Sequence, residues 1–147
     1  MFAKLKEALF GKPKPSKVRE FSDPTLGTLV LNDDVDWWEV KVQTDGETIG
    51  FGIGGAQTPD PALIQHAIDI TSGYPQFKKM IAEFLKTETQ HYRGYEKEIA
   101  SLTIDDVCLT WPDRPNDGMI YFNGPDEFRC WRCDYVSRKP KGLGFDD

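Results

Sequence analysis

The sequence contains no apolar run that approaches the roughly 20 residues of a membrane-spanning helix, and it lacks the charged, apolar and cleavable segments of a secretory signal. Cysteine is scarce as well, and the three present are an odd number that does not suit a framework of disulfides. The hydrophobic fraction of 39% is nevertheless too high for a disordered chain. We therefore expect a soluble protein of the reducing cytoplasm.

Positive charge is also scarce outside the first residues of the chain. The whole sequence has 18 lysines and arginines against 24 acidic residues, which gives a net charge of −6. Residues 1–20 hold six of these basic residues and two of the acids, so the remainder carries −10. Because an acidic body repels the phosphate backbone of nucleic acids, the sequence predicts no nucleic-acid partner and favours a basic protein partner.

Residues 1–17 differ in character from the rest of the chain. Phenylalanine and leucine recur there among lysines, which is typical of a short amphipathic helix. Such a helix would dock on its own domain or on a neighbour, or it would contact an anionic membrane through residues 1–15. Lys12–Pro15 cannot continue a helix and indicates a linker, so we expect a single domain at residues 18–147.

Alternation of apolar and polar residues predicts a β-hairpin at residues 37–53. Every second residue of its first strand is apolar, the period of two expected of a half-buried strand: Trp38, Val40 and Val42. Asp45-Gly46 suits the positive φ angles of a tight turn. The second strand alternates again, with glycines opposite its apolar residues Ile49, Phe51 and Ile53.

Two helices are predicted between Asp60 and Ala100. Asp60 can cap the free amides of a first helix that starts at Pro61 and ends at Gly73. A second helix follows, with apolar residues at three- and four-residue spacing. Gly94 weakens that helix, so a break near Tyr92–Tyr95 is compatible with the pattern.

The order of elements then determines the fold class. Phe21–Leu31 indicates one strand or a pair of strands, and three further strands between Val107 and Val136 are separated by turn residues. We expect an α+β fold: an antiparallel sheet of about five or six strands with two central helices packed on one face. The predicted core is Trp38, Val40, Phe51, Ile53, Ile64, Ile68, Phe77, Ile81, Phe84, Leu109 and Phe122.

One motif matches the dinucleotide-binding fingerprint G-x-G-x-x-G at Gly50, Gly52 and Gly55. That fingerprint requires a parallel strand followed at once by a helix, whereas this strand is the second arm of a hairpin and Gln57–Pro59 precedes the helix. The favoured interpretation is structural: a strand whose bare face lets a tryptophan or a helix pack closely. No cofactor site is predicted.

The C-x-x-C sequence at Cys130 and Cys133 is also interpreted as structural. In a strand, residues three apart project to opposite faces, and zinc would need two further ligands from Cys108, His66 or His91. A redox dithiol would instead lie at a helix N-terminus. The two histidines are expected on solvated helix faces, and no residue is assigned a catalytic or metal-binding role.

Acidic and aromatic residues supply the remaining functional clue. If two of the carboxylate clusters converge, they form either a hard-cation site or a negative patch for a basic partner, and we favour the patch because none has metal-loop spacing. Exposed aromatics beside acids are enriched in protein-binding surfaces, although aromatics also pack within a domain or across a homo-oligomer interface. The candidate partner-binding residues are Trp37, Trp111, Asp113, Asp117, Asp126, Glu127 and Trp131.

A loose resemblance extends over residues 20–147. The order Leu26-Gly27-Thr28-Leu29, an acidic stretch, Trp37-Trp38-Glu39, an Asp-Gly hairpin, two helices, Leu102-Thr103 and a terminal meander resembles uncharacterised small bacterial α+β domains, some of them immunity proteins of toxin systems. The segments Cys130–Asp134 and Gly142–Asp147 have no counterpart in that group. The resemblance implies no catalytic residues.

The sequence thus favours a non-enzymatic protein-binding or immunity-type module with an acidic, aromatic-bearing surface. The alternative is a metal-dependent or hydrolytic enzyme that uses the clustered carboxylates or the C-x-x-C.

Overall fold

The computed structural model describes residues 18–146. The amphipathic helix and linker predicted at residues 1–17 lie outside the described residues. In the described part, the elements follow in the order β1 (Glu20–Asp23), β2 (Gly27–Asn32), β3 (Trp37–Thr44), β4 (Glu47–Ile53), α1 (Pro61–Ser72), α2 (Tyr74–Glu88), a 3₁₀ turn (Thr89–His91), α3 (Glu96–Ala100), β5 (Thr103–Leu109), β6 (Gly118–Asn123), β7 (Cys130–Val136) and β8 (Lys139–Asp146).

All eight strands form one sheet in chain order. Neighbouring strands are antiparallel except β4 and β5, which are parallel. The expected antiparallel sheet of five or six strands with two central helices is therefore wrong. The sheet is mixed and has eight strands. Three short helices follow β4 and precede β5 in the sequence.

Two physical reasons account for the error. The last strand, β8, is rich in lysine, proline and glycine, which are poor strand formers, yet it pairs with β7 along its length. The parallel pair arises because the helices together form one crossover connection, which returns the chain to the end of the sheet where β4 began. A single crossover is enough for one parallel pair inside an otherwise antiparallel sheet.

Local predictions from turn and cap chemistry are confirmed. β3 and β4 form the predicted hairpin, and Asp45 and Gly46 have φ angles of 51° and 73° at its turn. The Asp60 carboxylate accepts hydrogen bonds from two amides of the first turn of α1, and Gly73 ends that helix. Between α2 and α3 the chain breaks near Gly94, whose φ of 90° is left-handed.

The helices cover one face of the sheet and enclose a single core. Nine of the eleven predicted core residues are buried, and the other two, Ile68 and Phe84, are partly buried against the same cluster. Within residues 18–146, no helix combines the length and the apolar character needed to cross a membrane.

Candidate functional site

The opposite face of the sheet, called here the open face, carries no helix of the described part of the chain. Its outward residues form rows across the strands, because paired residues in neighbouring strands point to the same side. One row runs from Lys41 through Gly50 and Asp106 to Tyr121. The next row runs from Glu39 through Gly52 and Cys108 to Met119, so residues of four strands meet over the two glycines of β4.

A groove of about 680 Å³ lies at this place on the open face. The residues that line it come from β2 to β6: Thr28, Val30, Trp37, Glu39, Val40, Lys41, Gly50, Phe51, Gly52, Asp106, Cys108 and Tyr121. A concave site with a few convergent polar groups is the usual setting of a binding site. We therefore treat this groove as the candidate functional site.

The two glycines of the groove give room to specific neighbours. A Cβ at Gly50 would lie 1.9 Å from a carboxylate oxygen of Asp106, so this carboxylate occupies the space that a side chain would fill. A Cβ at Gly52 would lie 3.2 Å from Nε1 of Trp37. A tryptophan therefore packs closely on the bare face of this strand, as predicted. The argument that the strand is only a hairpin arm is wrong, because β4 also pairs in parallel with β5.

The Glu39 carboxylate is held in place by two donors from the same side of the groove. Nε1 of Trp37 donates to Oε1 of Glu39 at 3.2 Å, and Nδ2 of Asn32 donates to the same oxygen at 3.0 Å. Both donors belong to the β2–β3 pair, in which Asn32 lies opposite Trp37. The glutamate is exposed, yet its orientation over the sheet is fixed by these bonds.

Asp106 and its neighbour Asp105 place two carboxyl groups side by side at the open face. Asp105 is the extra residue of a β-bulge between β5 and β6, which places the two carboxyl groups close together. Partial burial, with the nearby Asp105 charge, raises the pKa of Asp106 above its ordinary value. A carboxyl group with a raised pKa can hold a proton that its neighbour shares, and it can release that proton when a cation approaches.

The thiol and the phenol of the groove, Cys108 and Tyr121, are neutral at physiological pH. Burial raises the pKa of the Cys108 thiol to about 12, and the Asp106 and Glu39 charges act in the same direction. Burial also raises the pKa of the Tyr121 hydroxyl. The groove thus offers carboxylates, one lysine and aromatic rings, and its thiol is not an activated nucleophile.

The structure separates most of the residues that the sequence grouped as a partner-binding surface. Trp37 lies in the groove. Trp111, Asp113 and Asp117 lie in or beside the loop between β5 and β6, whereas Asp126 and Glu127 lie in the loop between β6 and β7. These loops are at opposite ends of β6, roughly 17 Å apart for a strand of this length, so their carboxylates do not converge.

Trp131 is the one member of that group that is fully buried. Its exposed fraction is 0%, and its ring packs against Tyr92, Tyr95 and Phe145 with centroid distances of 5.5, 5.9 and 4.7 Å. The alternation of β7 turns it toward the helices. It therefore belongs to the core of the domain.

The loop acids have structural partners of their own. Asp117 accepts a hydrogen bond from the backbone amide of Ser137 at 2.8 Å and from Arg114 at 2.9 Å, and these bonds lower its pKa. Asp126 lies 3.6 Å from Arg129, which also donates to both oxygens of Glu98. These contacts fix the two loops, while Asp113 and Glu127 remain exposed.

Sequence reasoning missed the residues that meet in the groove: Glu39, Lys41, Asp106, Cys108 and Tyr121. The alternation of β3 placed Glu39 and Lys41 on the side of that strand opposite its apolar residues. No signal showed that β5 would lie beside β4. The groove depends on that long-range pairing.

The cysteines lie as the strand pattern predicts. Cys130 is exposed and Cys133 is buried, so the two thiols are on opposite faces of β7. Burial raises the pKa of Cys133 to about 12. Among residues 18–146, no three His, Cys, Asp or Glu side chains are grouped in a way that could hold a metal ion.

His66 departs from the expected solvated helix face. It is 1% exposed, its ring lies 5.5 Å from the ring of Tyr135, and its Nδ1 donates to the carbonyl oxygen of Pro115 at 2.7 Å. Its Nε2 has no hydrogen-bond partner among the described residues. Burial lowers the pKa of His66, with Arg138 acting in the same direction and with Pro115 and Asp69 opposing it.

We expect His66 to make folding stability depend on pH. In the unfolded chain this imidazole binds a proton below about pH 6.5, whereas in the folded chain its lowered pKa means that it binds the proton only at a lower pH. The stabilisation is therefore complete above that pH and is lost as the pH falls toward the folded pKa, with a slope of at most about 1.4 kcal/mol per pH unit. Urea unfolding of wild type and His66→Gln between pH 7.5 and 5 measures this difference.

The matched control is His91→Gln, since His91 is exposed. This variant should keep the pH dependence of the wild type. The same slope in wild type and His66→Gln would show that the buried imidazole does not have the lowered pKa.

Comparison with family models, with curated proteins and with solved structures finds no match to this chain. The resemblance to immunity-type bacterial domains is thus neither supported nor refuted.

Proposed function

We propose that the folded domain is a non-enzymatic protein-binding module whose open face binds a basic, extended segment of a partner protein. The observation that carries the proposal is the groove, where the carboxylates of Glu39 and Asp106 lie beside the rings of Trp37 and Tyr121. An immunity-type role is one form of this function, in which the partner is a toxin domain with a basic surface.

Charge supports a basic partner. Two acids and one lysine line the groove, and Asp105 adds a further carboxyl group next to Asp106. The acidic remainder of the chain extends the negative field beyond the groove. Such complementarity speeds the encounter with a basic partner and disfavours acidic ones.

Shape and composition support a protein segment as the ligand. The groove is open and crosses several strands, so it can take an extended chain whose alternate side chains point toward the sheet. Trp37 and Tyr121 are half-buried aromatic residues, the type that supplies much of the binding energy at protein interfaces. A cationic side chain placed between them gains both a carboxylate and an aromatic contact.

A pair of synthetic peptides tests this function. Both are extended Gly/Ser-based chains, one with basic residues at alternate positions and the other with glutamates at the same positions. We expect the basic peptide to shift the NMR signals of the Gly50 and Gly52 amides and of the Trp37 indole, and the acidic peptide to leave them unchanged. The affinity should fall between low salt and about 150 mM salt, where the screening length is about 8 Å.

Substitutions locate the interaction. Glu39→Gln and Asp106→Asn should each weaken binding of the basic peptide about fivefold, which corresponds to about 1 kcal/mol for a partly exposed ion pair. Asp113→Asn is the matched control, because Asp113 is an exposed acid outside the groove. If the basic peptide leaves all open-face signals unchanged at low salt, the proposed function is wrong.

A further inference from the structure

We propose that the groove recognises one arginine side chain of the partner, whose guanidinium group lies between Trp37 and Tyr121 and rests on the Asp106 carboxylate that covers Gly50 and on the Trp37 indole that covers Gly52. This inference rests on the proposed function and names the chemistry of its central contact. It follows from the position of the two carboxylates, from the aromatic walls and from the two glycines of β4, which let the Asp106 carboxylate and the Trp37 indole lie close to the sheet.

The two carboxylates stand on either side of the glycines. Glu39 belongs to β3 and Asp106 to β5, so β4 lies between them and their backbones are roughly 10 Å apart across the sheet. The Asp106 carboxylate leans over Gly50 into this space. A cationic group that enters over β4 therefore meets a carboxylate on both sides.

Neither carboxylate has a basic side chain within 4 Å in the described part of the chain. Oε1 of Glu39 accepts from Trp37 and Asn32, which fixes the group, whereas its Oε2 has no hydrogen bond among the described residues. Asp106 interacts with Asp105 and is attracted to Lys41 across Gly50. The site is thus pre-formed and short of positive charge.

Guanidinium fits this arrangement better than ammonium. It is planar, it offers five N–H donors that can reach two carboxylates at once, and it is weakly hydrated, so it stacks on aromatic rings at small cost. A lysine ammonium is a compact, strongly hydrated charge that pairs with one carboxylate at a time. The rings of Trp37 and Tyr121 then provide faces that favour a flat cation.

Proton release accompanies this recognition. Asp106 must be ionised to pair with a cation, and the groups that face it are Asp105 of its own strand, Lys41 and Glu39 of β3, and Tyr121 of β6. Because burial and the Asp105 charge raise the pKa of Asp106, this carboxyl group holds its proton more tightly than an isolated one, and the affinity for a cation should rise with pH through the acidic range. Asp106→Asn should remove this dependence.

The test compares two small probes on the full chain. The ¹⁵N-labelled protein is titrated with N-acetyl-arginine methylamide and, separately, with N-acetyl-lysine methylamide, while the Gly50 and Gly52 amides and the Trp37 indole are observed. We expect the arginine probe to bind roughly tenfold more tightly than the lysine probe, with shifts confined to the groove. Equal affinities, tighter lysine binding or shifts elsewhere would overturn the inference.

A charge-neutral variant tests the geometry. Gly50→Ala keeps every charge but forces the Asp106 carboxylate to move, since the new Cβ would lie 1.9 Å from it. We expect this variant to lose the preference for arginine. Gly144→Ala is the matched control, because Gly144 lies in β8 in the same row of the sheet and a Cβ there meets nothing within 4 Å.

A second variant keeps the inference falsifiable if Gly50→Ala does not fold. Trp37→Leu removes the aromatic face, and it should reduce the affinity for the arginine probe more than that for the lysine probe. An equal reduction for both probes counts against the inference.

The failure of this inference differs from the failure of the proposed function. If both small probes bind the groove equally well and the basic peptide binds too, arginine selectivity is wrong and the binding module stands. If the basic peptide and both probes leave the groove signals unchanged, the proposed function is wrong as well.

Discussion

Replacing Trp131 by alanine is expected to lower the free energy of unfolding by about 3–5 kcal/mol, the usual cost of truncating a buried tryptophan. The side chain is fully buried, and it fills the space between β7 and the aromatic residues after α2. Alanine would leave a cavity there and would remove three ring contacts. Urea unfolding followed by circular dichroism measures the loss.

Trp111→Ala is the control for that experiment. Trp111 is 37% exposed and lies under the Arg114 guanidinium, with 5.0 Å between the guanidinium carbon and the ring centroid. Its truncation should cost about 1 kcal/mol or less, within the range of an exposed cation–π contact. Comparable losses in the two variants would contradict the core assignment of Trp131.

Replacing Gly55 by alanine should be costly for a different reason. Gly55 has a φ of 142°, and a Cβ there would lie 2.1 Å from the Thr58 carbonyl oxygen and 2.7 Å from the Asp60 amide nitrogen. Those are backbone atoms next to the N-terminus of α1, so no side chain can rotate away. We expect a loss of roughly 2–6 kcal/mol, from about 1–3 for the backbone conformation and about 1–3 for overpacking.

Gly46→Ala separates these two contributions. Gly46 also has a positive φ, 73°, but a Cβ at this position meets nothing within 4 Å. This variant should lose only the conformational part, about 1–2 kcal/mol. Thermal unfolding of both variants measures the difference, and equal losses would show that the contact with Thr58 and Asp60 has no effect.

The third glycine of the G-x-G-x-x-G sequence thus has a structural role that the motif alone does not reveal. It lets the chain after β4 turn tightly into α1, and its carbonyl oxygen accepts a hydrogen bond from the Trp38 indole at 3.1 Å. Gly50 and Gly52 instead make room on the open face. Gly50 and Gly52 thus shape the candidate site, whereas Gly55 allows the turn that leads into α1.

Short-range chemistry was readable from the sequence by itself. The hairpin at Asp45-Gly46, the cap at Asp60 and the helix end at Gly73 depend on residues within a few positions of each other, so local patterns predict them. Most of the core followed from periodicity, because the period of a strand or helix determines which side chains share a face. The opposite orientation of Cys130 and Cys133 followed in the same way.

Only the tertiary structure determined which strands are neighbours, and the candidate site depends on that strand order. Glu39 and Asp106 flank one groove because β4 and β5 pair in parallel across the helical connection, and the register puts Gly50 beside Asp106. The pairing of β4 with β5 depends on the packing of the whole core, so no local pattern in either strand predicts it. The same packing buried Trp131 and His66, since the faces of β7 and α1 that carry them were turned inward by elements far away in the sequence.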